Sequence, residues 1–208
     1  MPVATQALSE LENDALIEIF NIGVGRSASA LNKMVSQTVE LSVPHVQLVE
    51  NRQLMARLEA NNVGRISAVS QKFEGDFSGT AMLIFSQDKG LTLVRQLLGE
   101  NIPLSSLSDM EQDSLVEVGN IILNACFGTV INFLEFKIKV EMPTFKQGSV
   151  SDLYSDAQTQ LSSLYVEVKF ALPNDSIEGY ISFLMGIESL GIFKQSIRSF
   201  VQRMTNPS

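Results

Sequence analysis

The 208-residue chain sets 23 acidic residues against 15 Lys and Arg, a formal net charge of −8, and is 45% hydrophobic and 18% charged. That balance is globular rather than disordered, and the negative charge repels phosphate backbones and anionic lipid, so nucleic acid and membrane surfaces are excluded as favoured partners. Cys126 is the only cysteine, which rules out an intrachain disulfide and suits a reducing, cytoplasmic setting.

No basic stretch followed by an apolar block stands in residues 1–10, so no signal peptide is expected. The first long helical pattern spans residues 9–36 and contains DALIEIFN. Positions i, i+4 and i+7 share a helix face, so Asp14, Glu18 and Asn21 form one polar stripe, with Gly25 continuing it. Leu16, Ile19, Phe20 and Gly23 lie on the other side and are expected to face the core, so the polar stripe, Asn21 included, is expected to be exposed. VELSV then alternates as a strand does and ends at Pro44. His45, the sole histidine, is expected at the surface or a strand end, and its isolation argues against a His-rich metal centre. Strand patterns at 65–73 and in GTAMLIF from Gly79 lead to a short helix over 89–98, and a boundary is expected within 101–108.

The second long helix is expected over 109–134 and contains DSLVEVGN, which puts Asp113, Glu117, Asn120 and Asn124 on one face. Leu115, Val118, Ile122 and Ala125 face inward, with Cys126 on that inner side. The apolar run 121–136 is broken by Asn124, Asn132 and Glu135 and reads as too short and too polar to span a bilayer. Next come IKVEM, Pro143, a polar loop over 147–163, strands at 164–172 and in GYISFLM from Gly179, and a closing helix over 187–201.

The two halves repeat. Asp14, Glu18, Asn21 and Pro44 match Asp113, Glu117, Asn120 and Pro143 at one constant offset of 99 residues, and the strands from Gly79 and Gly179 hold an offset of 100. Runs of strands and helices rather than strict alternation point to an α+β fold with a largely antiparallel sheet. The expected arrangement is one domain of two repeats, 1–104 and 105–208, related by a pseudo-twofold, with the two long helices packed on the sheet. A single acidic stripe is ordinarily just solvated surface. Two copies in phase with a repeat are not so easily dismissed, because Asn is a poor helix former and stands mid-helix in both.

In these paired motifs the chain resembles the CheC, CheX and FliY phosphatases of bacterial and archaeal chemotaxis. Their signature of Asp or Ser, three residues, Glu, two residues, Asn fits at Asp14, Glu18, Asn21 and again at Asp113, Glu117, Asn120. The likeness covers nearly the whole chain, although NIGVGRSASALNKM after the first motif becomes NIILNACFGTVINF after the second. The resemblance implies hydrolysis of the phosphoaspartate of a CheY-like response regulator, with Mg²⁺ supplied by that partner and no cofactor of the chain's own. It casts the amides of Asn21 and Asn120 as holders of the attacking water. Glu18 and Glu117 would engage a cation, a lysine, beside the partner's phosphate. Asp14 and Asp113 are left between helix start and partner contact, and Gly25 and Ala28 are small enough for close approach. Asn124 stands where the first helix has Gly25, so the two sites are expected to differ. The rivals are a FliM-type switch module and a regulator that chiefly binds a CheD-like deamidase through 89–98 or 187–201. CheX-type chains are shorter with one motif. FliY and FliM architectures are expected to carry further segments before residue 9 or after 203.

Overall fold

The computed structural model describes residues 8–34, 38–61, 65–98, 109–154, 162–172 and 175–205. The boundary expected within 101–108 lies outside them. Helix α1, Glu10–Met34, opens on a reciprocal cap: Ser9 Oγ accepts the Glu12 N–H at 3.2 Å, and Glu12 Oε2 accepts the Ser9 N–H at 2.7 Å. The other Glu12 oxygen accepts from Arg198 Nε at 2.9 Å, tying the start of α1 to helix α6, Ile187–Thr205. Burial pushes the Glu12 carboxyl up, but the Ser9 N–H and the guanidinium outweigh it and hold the group below the usual carboxylate range. The helix therefore starts at its own cap. Asp14 sits a turn further in, and α4, Asp109–Leu134, likewise begins four residues before Asp113, so neither aspartate is a helix start.

The strands are β1 Glu40–Glu50, β2 Ile66–Gly75, β3 Gly79–Ser86, β4 Ile138–Val140, β5 Thr144–Gly148, β6 Ser162–Leu172 and β7 Asp175–Met185. They form one sheet in the order β1-β6-β7-β3-β2-β4, with β5 also on β2, and every pairing is antiparallel. The α+β class and antiparallel sheet expected from the sequence are thus what the fold shows. Exchanging β1 with β4 and β5, β2 with β6, and β3 with β7 turns the order onto itself. At the centre, Met82 stands opposite Ser182.

Side chains alternate across each strand and feed two cores. Val69, Phe73, Leu83, Val166, Val168 and Phe183 join the core under α1 and α4, together with the inner faces of α3, Gln87–Leu98, and α6. Ala68, Met82, Ile84 and Tyr165 face the other way, under α2, Asn51–Asn61, and α5, Val150–Leu153. Leu16, Ile19, Phe20, Gly23, Leu115, Val118 and Ile122 are buried as expected, whereas Ala125 is only half-buried. By length and composition Gln112–Leu134 is long and apolar enough to cross a membrane, so the reading of this region as too short is corrected. It is nevertheless a core helix, with half of its most apolar window buried against the rest of the fold.

Other expectations need adjusting. β1 runs on past Pro44 instead of ending there, and IKVEM yields a strand only over Ile138–Val140. The expected loop over 147–163 contains a capped turn of helix, where Ser149 and Asp152 bond reciprocally, and the start of β6; residues 155–161 lie outside the described set. Helix α2 was not anticipated. Among its described residues only Leu54 and Leu58 are both apolar and buried, too narrow a signal among Asn, Arg and Gln.

Cys126 is fully buried where α4 meets α1, and burial pushes its thiol up to about 12. The thiolate is the reactive form. A thiol reagent at pH 8 is therefore expected to label the native protein slowly and the urea-unfolded chain at the rate of a free cysteine; fast native labelling would contradict this packing.

Candidate functional site

The outer faces of α1 and α4 carry the paired motifs. Asp14, Glu18 and Gly25 are exposed on the first, and Asp113, Glu117 and Asn124 on the second. None of the four carboxylates makes an ion pair with a described residue. A Cβ built on Gly25 would meet nothing within 4 Å, so the surface beside Asn21 is open. Ala28, also expected to ease approach, is half-buried.

The two amides are not simply solvent-facing, as the stripe geometry led one to expect. Asn21 and Asn120 are both half-buried, at the seam where each helix meets the sheet. Asn21 Oδ1 accepts the Val43 N–H at 2.9 Å, and its Nδ2 donates to the Val43 carbonyl at 3.4 Å. The cause lies in β1. Its register against β6 shifts between Ser42 and His45, so Val43 and Pro44 fall in an irregularity outside the ladder. Val43 is 3% exposed, and its backbone groups need partners that the sheet does not give. Asn21 gives them. Asn32, which the motif reading missed, makes the same reciprocal pair with Val39, at 2.7 and 3.2 Å. The available signal was another Asn within a helix that ends near a strand start.

Asn120 is held differently. Its Oδ1 accepts from Gln71 Nε2 at 3.3 Å and from Asn124 Nδ2 at 2.6 Å, and Gln71 Nε2 also donates to the Glu141 carbonyl at 3.4 Å. Each motif therefore joins an exposed carboxylate to an amide, one helical turn on, whose oxygen is already fixed. A carboxamide has two donors and two acceptor lone pairs, so at both positions capacity is left for a small ligand such as water.

His45 is half-buried within β1, and the expected surface or strand-end position is modified accordingly. Among the described residues no cluster of three or more His, Cys, Asp or Glu forms a metal site. A large open hollow, about 530 Å³, is lined by Lys72, Thr80, Met82, Met142, Lys146 and Leu184. Thr80, Met82 and Leu184 point to the α2 and α5 side, away from both stripes. The motif stripes of α1 and α4 thus lie on the other side of the sheet from this hollow.

No protein-family model matches the chain. Over 162 residues it is 23% identical to the CheY-P phosphatase CheC of Bacillus subtilis, covering 76% of each chain. Over 167 residues it is 23% identical to the flagellar motor switch phosphatase FliY of the same organism, covering 79% of this chain and 43% of that protein. The structure of Thermotoga maritima FliY matches with a TM-score of 0.74 at 15% identity, over 93% of this chain and 98% of that one. The FliM middle domain of H. pylori matches with a TM-score of 0.68 at 12% identity, over 91% and 99%.

Proposed function

We propose that this chain, which belongs to the CheC-type family of chemotaxis proteins, is a cytoplasmic phosphatase that hydrolyses the phosphoaspartate of a CheY-like response regulator. The observation that carries this reading is the duplicated pairing of an exposed carboxylate, free of ion pairs with any described residue, with an amide fixed one turn away. The fold does not carry it, because FliM middle domains share that fold.

Glu18 or Glu117 takes a lysine of the regulator as an ion pair, which seats the helix face over the phosphorylated carboxylate. Asn21 or Asn120 then holds a water in line with the P–O bond to the aspartyl oxygen. The water oxygen bonds to phosphorus as the bond from phosphorus to the aspartyl oxygen breaks; inorganic phosphate departs with the water's two protons, and the aspartate carboxylate is regenerated on the regulator. Mg²⁺ bound by the regulator stabilises charge on the phosphoryl oxygens. Pre-fixed amides suit this task, since a water-holding group that is already oriented needs no reorganisation at the moment of attack.

Glu18→Ala with Glu117→Ala is the cleanest test, because both side chains are exposed and the exchange leaves the fold intact. Mixed with a Mg²⁺-loaded phosphorylated regulator, the double variant is expected to leave phosphate loss at its spontaneous rate, while the parent chain accelerates it. Equal acceleration by both would refute the assignment.

A further inference from the structure

On β2, Gln71 lies between Val69 and Phe73 on the face that feeds the main core, and it is 2% exposed. The repeat has a different residue there. Gln71 pairs across from Ala81 of β3, and Val166 of β6 pairs across from Ile181 of β7, with Ala81 and Ile181 at the 100-residue offset of the central strands. One half thus places a carboxamide in an apolar row where the other places a fully buried valine. A buried amide costs free energy unless both of its ends are bonded, and the Oε1 of Gln71 is buried with no hydrogen-bond partner. Packing gives no reason for it.

The bonds of its other end give one. The Glu141 carbonyl can only accept, so the end of Gln71 that meets it is the NH₂, and that same nitrogen faces Asn120. Asn120 must then turn its oxygen toward Gln71 and Asn124, which leaves its own NH₂ pointing away from both donors. In the first half the backbone of Val43 orients Asn21 directly, and no amide is needed beneath it. Gln71 spans the corresponding gap between Asn120 and the edge strand.

We infer that Gln71 is a positioning residue for the second site, fixing which end of the Asn120 amide is offered to the attacking water; this rests on the reading of Asn120 as the water holder. Met is nearly isosteric with Gln and cannot donate. In a Glu18→Ala background, where the second site carries the turnover, Gln71→Met is expected to lower kcat about ten- to a hundred-fold. KM for the phosphorylated regulator is expected to stay within about twofold and the thermal midpoint not to fall, since an orphaned polar end is removed. A kcat equal to that of Glu18→Ala alone overturns the inference, as does a loss of kcat accompanied by a raised KM and a lowered midpoint, which would mark Gln71 as structural. The control is Glu18→Ala with Asn120→Ala. If that variant still turns over, the reading of Asn120 itself falls, and the inference with it.

Discussion

Alanine at both Asn21 and Asn120 is expected to bring dephosphorylation of the partner regulator to its spontaneous rate, and the two single changes are expected to differ in stability. Loss of an oriented water holder costs about a hundredfold or more in rate. Asn21→Ala also strips both backbone groups of Val43 of their side-chain partners at a site only 3% exposed. Leaving such buried groups unsatisfied costs about 1–3 kcal/mol. Asn120→Ala takes one acceptor from Gln71, whose nitrogen keeps the Glu141 carbonyl, so its cost is expected to stay below about 1 kcal/mol. Urea denaturation of the two single variants reads the difference without any partner protein. Equal stabilities would show that the Val43 irregularity does not depend on Asn21, and an undiminished rate in the double variant would remove both amides from the chemistry.

The repeat made much of this architecture legible in the sequence. Two copies of the same helix opening, each followed by a strand pattern and a proline, required matching elements, and the sheet order that reads alike from either end is what such matching produces. Inward faces followed from 3.6-residue periodicity because burial of Leu16, Ile19 and Leu115 is a property of one helix alone. The amides were harder. Whether Asn21 looks outward or into a seam depends on where the β1 ladder fails, and that failure is visible only once β6 lies beside β1. Pro44 hinted at it, having no N–H to give. Gln71 was invisible for a related reason: a polar residue in a strand reads as solvent-facing until both sides of the sheet are known to be covered.

Gly119→Ala is expected to destabilise the fold by about 1–3 kcal/mol, because this is overpacking against a rigid neighbour. A Cβ there would sit 2.6 Å from the Cβ of Val69, a branched side chain with no far end to swing aside. Phe20 holds the matching place in α1, so close approach of helix to strand at this position belongs to α4 alone. That approach sets Asn120, the next residue, above Gln71, two positions along β2 from Val69. Lifting α4 therefore also lengthens the Asn120–Gln71 bond. Trimming the strand should undo the harm, so Gly119→Ala with Val69→Ala is expected to be more stable than the two separate losses predict. Gly25→Ala supplies the opposite sign. Its Cβ meets nothing, and replacing a mid-helix glycine is expected to gain about 0.5–1 kcal/mol. Thermal denaturation of Gly119→Ala, Val69→Ala, their double variant and Gly25→Ala decides the matter: a neutral Gly119→Ala, or strict additivity with Val69→Ala, would mean that α4 does not rest on β2 this closely.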